Sequence, residues 1–90
     1  MPTLHLLIKG KVQGVFFRAT AKEVADGLGL TGWVQNTKEG HVEAMATGTR
    51  EQLHDFTGWC KQGPRKARVT EVIPTEKPEE HFNGFTVRRD

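Results

Sequence analysis

TGWVQNTKEGHVEAMAT, residues 31–47, is the stretch that decides the fold, because it contains two strand patterns joined by a short polar turn. Thr31–Asn36 and His41–Thr47 have the length and the alternation of strands. Thr37–Gly40 lies between them and ends in a glycine, which is typical of a hairpin turn. The pattern therefore predicts a β-hairpin in the middle of the chain. On its second strand, one face is predicted to carry Val42, Ala44 and Ala46.

On the N-terminal side of this hairpin, the sequence predicts one more strand and one helix. Apolar side chains alternate with others over residues 3–10, which predicts a strand. A helix is predicted to begin near Phe17 or Arg18 and to end at Gly29, where a glycine can adopt the left-handed backbone that closes a helix. The apolar positions of the strand are Leu4, Leu6 and Ile8, and those of the helix are Ala21, Val24, Ala25 and Leu28.

On the C-terminal side, the sequence predicts a second helix and two more strands. Thr49 and Gln52 fit a capping box at the start of this helix, and Gly63-Pro64 ends it. Its core face is predicted to carry Leu53, Phe56 and Cys60. Beyond the helix we expect, in order, a strand over residues 66–73, a polar loop over 74–81 and a short strand over 82–88.

The predicted elements follow the order β-α-β-β-α-β, with a short extra strand at the C-terminal end. Each helix has a single apolar stripe, so both are expected to cover one face of a mainly antiparallel sheet. This is an α+β arrangement, the ferredoxin-like sandwich. Residues 1–90 are expected to form a single domain. Since this fold carries many activities, function has to come from a site.

The composition argues against several classes of protein. A net charge of +2 is too small to predict a nucleic-acid-binding surface. Cys60 is the only cysteine, so the chain can form no internal disulfide, and no Cys/His pair has zinc spacing. No apolar run approaches the roughly 20 residues that span a bilayer, and the first residues do not resemble a signal peptide. We expect a soluble, cytoplasmic protein that binds no nucleic acid and no membrane.

Gly10–Arg18 is the stretch most informative about function, because a glycine-containing loop there joins a strand to the start of a helix. Backbone N–H groups at a helix N-terminus have no partner within the helix and attract anions. Gly14 allows consecutive amides to form a concave nest, and Arg18 adds a planar cation matched to phosphate oxygens. The stretch is consistent with a phosphate site and also with an ordinary connection carrying an exposed arginine.

The same loop lacks the residues of two other phosphate-binding loops. Cysteine-dependent phosphatases carry a cysteine six positions before an arginine, where this chain has Val12. Cys60 is predicted to lie on the core face of the second helix, where a thiolate is disfavoured, so no phosphocysteine is expected. The loop also lacks the Gly-Lys-Ser/Thr ending of nucleotide-binding P-loops, so ATP binding is not expected.

Two motifs resemble the signatures of the acylphosphatase family. Residues 10–18, GKVQGVFFR, resemble the first signature, Gly-x-Val-Gln-Gly-Val-x-Phe-Arg. Residues 32–36, GWVQN, followed by Gly40, Val42 and Gly48, resemble the second. Both motifs occur in the family's order and spacing, and the resemblance covers essentially the whole chain.

The resemblance implies a small free-standing acylphosphatase, a hydrolase that cleaves the carboxyl–phosphate bond of acyl phosphates by direct in-line attack of water. It implies that Arg18 and Asn36 are the catalytic residues, with Arg18 binding the phosphate and Asn36 holding the water. The phosphate would be bound mainly by the backbone N–H groups of Gln13, Gly14, Val15, Phe16, Phe17 and Arg18. A carboxylate leaves without being protonated, so we expect no metal and no cofactor. We expect a monomer whose only partner is a small-molecule acyl phosphate.

Two alternatives stay open. One is an RNA-recognition module of the same fold, for which Lys9-Gly10 begins the expected motif but Lys11 stands where an aromatic residue belongs. The other is a relative that binds phosphate or an acyl phosphate without turnover, which intact Arg18 and Asn36 disfavour. The rings of Phe16 and Phe17 are candidates for the mouth of the site, and Phe17 is also expected to anchor the helix. Arg88 and Arg89 are expected on the solvated surface, and Trp33 and Trp59 in partly buried positions.

Overall fold

The computed structural model describes residues 1–89, and Asp90, which the predicted domain includes, lies outside them. The strands are β1 (Thr3–Lys11), β2 (Thr31–Asn36), β3 (Val42–Thr47), β4 (Arg68–Lys77) and β5 (Phe85–Val87), and the helices are α1 (Phe17–Leu28) and α2 (Arg50–Gln62). The five strands form one sheet in the order β4-β1-β3-β2-β5. Neighbouring strands are antiparallel except β2 and β5, which are parallel. The predicted ferredoxin-like fold is confirmed.

The core lies between the two helices and one face of the sheet. Side chains alternate across a strand, so every second residue of β1, β2 and β3 points at the helices. The predicted positions Val42, Ala44 and Ala46 are fully buried there. The other buried apolar residues of the two layers include Leu6, Ile8 and Val34 from the sheet and Phe17, Ala21, Ala25, Leu53, Phe56 and Cys60 from the helices.

The ends of both helices follow the predicted capping signals. Gly29 closes α1 in the left-handed conformation, with φ of 79°. At the start of α2, the Gln52 N–H donates to Thr49 Oγ1 at 3.1 Å, and the Thr49 N–H donates to Gln52 Oε1 at 2.9 Å. This reciprocal pair is a capping box and satisfies two backbone donors that the helix leaves free.

The predicted end of β4 was wrong. We expected a strand over residues 66–73 and a loop from Pro74, but β4 continues through Pro74 to Lys77, and Pro74 pairs with Leu6 of β1. The physical reason is the position of the strand. β4 is at the edge of the sheet and has a neighbour on one side only, so half of its backbone groups need no partner and a proline is tolerated.

The last strand is also shorter than predicted, since β5 spans Phe85–Val87 instead of residues 82–88. This short strand contributes little to the core, because only Phe85 of its three residues is buried there. Within residues 1–89, neither helix has both the length and the apolar character that crossing a membrane requires.

Candidate functional site

The site is built around the loop between β1 and α1. Lys11 is the last residue of β1 and Phe17 is the first of α1, so residues 12–16 make the connection. Gly14 and Phe16 both have left-handed backbones, with φ of 74° and 63°. A Cβ added at Gly14 would meet no atom within 4 Å, so the backbone conformation, and not lack of space, favours glycine there. Left-handed residues in such a turn allow successive N–H groups to face a common point and bind an anion.

The N-terminus of α1 has no side-chain cap. Its N-cap residue is Phe16, which cannot accept a hydrogen bond through its side chain, and its first turn carries no acidic residue. By contrast, α2 has a capping box and Glu51 in its first turn. The first N–H groups of α1 therefore lack the side-chain partners that α2 has. Together with the helix dipole, they favour a bound anion at this end.

Arg18 lies in the first turn of α1, beside these N–H groups, and is half-buried. Its Nη1 donates to the backbone carbonyl of Arg88 at 3.2 Å. This contact anchors one nitrogen of the guanidinium. A guanidinium carries five N–H donors, so four donors stay available for a ligand in the planar arrangement that suits phosphate.

A cleft of about 490 Å³ joins the loop to the end of the hairpin strand β2. Of the predicted site residues, it brings together Arg18, Asn36, Gly14, Phe16 and Phe17. The rest of its lining consists of Val12, Ala19, Val87 and Arg89. The two proposed catalytic side chains, which lie 18 positions apart in the sequence, therefore share one cleft.

Two predicted cradle residues direct their side chains elsewhere. Val15 is 6% exposed and belongs to the hydrophobic core. Gln13 turns toward the hairpin, where its Nε2 donates to the carbonyls of Thr37 at 2.9 Å and His41 at 2.8 Å. Only their backbone groups are left for a ligand. The Gln13 side chain also ties the loop to the turn that begins directly after Asn36.

Arg89 is a residue of the site that the sequence analysis missed. Arg88 and Arg89 are both exposed, as expected for the solvated surface, but Arg89 also lines the cleft and the Arg88 guanidinium lies 4.3 Å from the centre of the Trp33 ring. The cause is the parallel pairing of β5 with β2, which places Val87 opposite Val34. Residues that follow β5 are thereby carried to the end of β2 where Asn36 lies. No local sequence signal could have indicated this placement.

The electrostatic character of the cleft is basic. Arg18 and Arg89 line it, and among residues 1–89 none that lines it carries a carboxylate. Residues 1–89 contain no group of three or more histidine, cysteine, aspartate or glutamate side chains able to hold a metal. Cys60 is fully buried on α2, and burial raises the pKa of its thiol, as expected for a core cysteine.

A second polar cluster lies on the sheet face that the helices do not cover. Glu43 Oε2 lies 2.9 Å from His5 Nε2, and Gln35 Nε2 donates to Glu43 Oε1. The pKa of Glu43 is lowered, chiefly by the hydrogen bond with His5, although partial burial acts in the opposite direction. A cavity of about 560 Å³ over this cluster shares Asn36 and Arg89 with the cleft.

Fold and site together define a ferredoxin-like domain with a basic cleft, suited to an anion, at a helix N-terminus. The family model named Acylphosphatase matches residues 4–87 of the chain. The chain belongs to the acylphosphatase family.

Similar proteins agree with this assignment. The acylphosphatase of Marinobacter nauticus is 50% identical over 82 residues, which cover 90% of this chain and 89% of the relative. The solved structure of an acylphosphatase from Coxiella burnetii is 41% identical, has a TM-score of 0.94, and covers 97% of this chain and 92% of its own. The solved structure of the Bacillus subtilis acylphosphatase is 33% identical and has a TM-score of 0.95. The match covers 99% of this chain and 100% of the Bacillus subtilis chain. The family and the class of enzyme predicted from the sequence are confirmed.

Proposed function

We propose that this chain hydrolyses acyl phosphates by direct in-line attack of water, with Arg18 and the 13–18 backbone binding the phosphate and Asn36 positioning the water. The observation that carries the proposal is the cleft itself. It brings together the N-terminus of α1, whose N–H groups have no side-chain cap, the Arg18 guanidinium and Asn36. No covalent intermediate is part of this mechanism. The only cysteine is buried in the core, away from the cleft lining.

Phosphate binding is assigned to the backbone N–H groups of residues 13–18 and to the Arg18 guanidinium. Phosphoryl transfer passes through a loose transition state with charge spread over the equatorial oxygens of the phosphoryl group. Fixed N–H dipoles and a cation that already face this position stabilise that charge without reorganising during the reaction. The hydrogen bond from Arg18 to the Arg88 carbonyl supports this role, because it restricts the guanidinium before the substrate arrives.

Asn36 is assigned to the attacking water. Its side-chain oxygen can accept a hydrogen bond from that water while its NH₂ donates to the phosphoryl group. The water oxygen forms the new bond to phosphorus as the bond from phosphorus to the acyl oxygen breaks. The acyl oxygen leaves with the bonding electron pair as a carboxylate, and the proton of the water passes to the phosphate product or to solvent.

The leaving group explains why the proposal includes no general acid and no metal. A carboxylic acid has a pKa near ~4, so the carboxylate leaves unprotonated at neutral pH. Alkyl phosphates have far more basic leaving groups and should be poor substrates. Chelators should therefore leave the rate of acyl phosphate hydrolysis unchanged.

The domain organisation, oligomeric state, location and partner of the protein also belong to this proposal. We propose that residues 1–90 act as one domain, as a monomer in the cytoplasm, on a small-molecule acyl phosphate. The small net charge of +2 supports an anionic small molecule over nucleic acid as the partner.

Hydrolysis of benzoyl phosphate in the presence of EDTA tests the proposal. Arg18→Gln should lower kcat/KM by about 10³-fold, the size of arginine effects in phosphoryl transfer. Asn36→Ala should lower kcat by about 10²- to 10³-fold, as loss of one preorganised polar group does. Circular dichroism should show that both variants are folded. Full kcat in folded Asn36→Ala would refute the assignment of the water.

Two exposed residues outside the cleft lining provide matched controls, Arg65→Gln for the arginine and Asn83→Ala for the asparagine. Both should keep wild-type kinetics. A folded wild-type protein that binds inorganic phosphate and hydrolyses no acyl phosphate would instead favour a binding function for the same loop.

A further inference from the structure

Phe16 combines two features that are unusual for a phenylalanine. Its side chain is 78% exposed, and its backbone is left-handed, with φ of 63°. It is the only non-glycine residue with positive φ in the part of the chain that the structure describes. Bulky residues rarely adopt this conformation, and strain of this kind is concentrated at functional sites. Neither the fold nor the phosphate cradle explains the exposed ring, because the cradle uses only the backbone of Phe16.

The surrounding structure holds Phe16 in this conformation through its backbone. The Phe16 carbonyl accepts hydrogen bonds from the Thr20 N–H at 3.1 Å and from Thr20 Oγ1 at 2.8 Å. The next residue, Phe17, is 2% exposed and packs against Trp59 in the core, with the two ring centres 5.2 Å apart. The backbone that follows Phe16 is thereby fixed, and Val15 before it is buried in the core, so the ring is presented from a rigid position.

The cleft has an apolar side as well as a basic one. Val12, Ala19 and Val87 line it together with Phe16, while Arg18 and Arg89 supply positive charge. An acyl phosphate complements these two sides, because its phosphoryl end is anionic and its acyl end can be apolar. The backbone N–H of Phe16 is part of the proposed phosphate cradle. The Phe16 ring is therefore within reach of the acyl group of a bound acyl phosphate.

We propose that Phe16 is a specificity residue whose ring packs against the acyl group, so that this chain favours acyl phosphates with an aromatic or bulky apolar acyl group over acetyl phosphate. This inference rests on the proposed function. Contact with a second ring would bury apolar surface that is exposed in the free protein. Pairs of aromatic rings contribute enough for a preference of about 3- to 10-fold in kcat/KM.

The ratio of kcat/KM for benzoyl phosphate to that for acetyl phosphate tests the proposal. Phe16→Ala and Phe16→Gly both remove the ring, but alanine retains the strain of positive φ and glycine relieves it. Both variants should lower the ratio by about 3- to 10-fold relative to wild type, whatever their stability. Phe82→Ala is the matched control, because Phe82 is half-buried and outside the cleft lining, and its ratio should equal that of wild type.

Calorimetric binding of two non-hydrolysable probes, benzylphosphonate and methylphosphonate, gives a readout that needs no turnover. Wild type should bind benzylphosphonate more tightly, and both Phe16 variants should lose this preference. If wild type hydrolyses both substrates but the ratio and the phosphonate preference are unchanged in the variants, the role of Phe16 is overturned and the proposed function stands. If wild type hydrolyses neither substrate, the proposed function fails, and the phosphonate preference alone then decides whether Phe16 selects the attached group.

Discussion

The Gln13 side chain links the stability of the fold to the geometry of the site. Its amide group donates two hydrogen bonds across the base of the hairpin, to the carbonyls of Thr37 and His41. Both carbonyls keep a backbone partner without Gln13, since the Gly40 N–H donates to Thr37 and the Thr37 N–H donates to His41. Removing the side chain therefore loses two hydrogen bonds without leaving a carbonyl unsatisfied.

We expect Gln13→Ala to lower the free energy of unfolding by about 1–3 kcal/mol, because one net hydrogen bond contributes about 0.5–1.5 kcal/mol. The Tm should fall by at least about 4 °C in a domain of this size. The rate of catalysis should also fall. Gln13 holds the carbonyl of Thr37, which directly follows Asn36 in the chain, so its loss should shift Asn36. A shift of about 1 Å in a positioning group lowers a rate by up to about 10²-fold, and we expect kcat to fall by about 10- to 100-fold.

Urea unfolding and benzoyl phosphate kinetics on the same samples measure both effects. Gln62→Ala, at the exposed end of α2, is the matched control and should change stability by less than about 0.5 kcal/mol. The kcat of the double variant Gln13→Ala/Asn36→Ala should be only slightly lower than that of Asn36→Ala alone. The reason is that Gln13 affects catalysis by positioning Asn36, so its loss matters little once Asn36 is gone. An unchanged Tm and kcat in Gln13→Ala, or fully additive losses in the double variant, would refute this reasoning.

Two further predictions concern titratable groups outside the cleft. Glu43 has a pKa below the ordinary 4.5, so its ionised form stabilises the fold above that pH, and this stabilisation is lost as the pH falls through the lowered folded-state pKa. Glu43→Gln should therefore be less stable than wild type in urea unfolding near neutral pH, and this difference should shrink steadily as the pH falls below 4.5; a difference that does not shrink in acid would contradict this. The buried Cys60 thiol, whose pKa is raised, should not react with a disulfide-exchange reagent until the protein unfolds. Rapid stoichiometric labelling of the native protein would show that the packing around it is looser than described.

Local signals predicted most of the fold because they depend only on neighbours in the chain. The Thr49–Gln52 capping box and the left-handed Gly29 formed where their sequence placed them. Pro74 was misjudged for the opposite reason. A proline ends a strand only if its missing N–H is needed by a neighbour, and that need depends on the order of strands in the sheet.

The sequence by itself indicated the proposed phosphate-binding loop, because residues 10–18 are contiguous and their turn follows from local glycine and helix-start preferences. It also contained both family motifs that single out Arg18 and Asn36. Only the tertiary structure decided which distant residues complete the cleft. Arg89 reaches it because β5 pairs in parallel with β2, so that the residues after β5 lie beside the end of β2. Such contacts depend on sheet register and on the fit of side chains far apart in the chain, which no local pattern specifies.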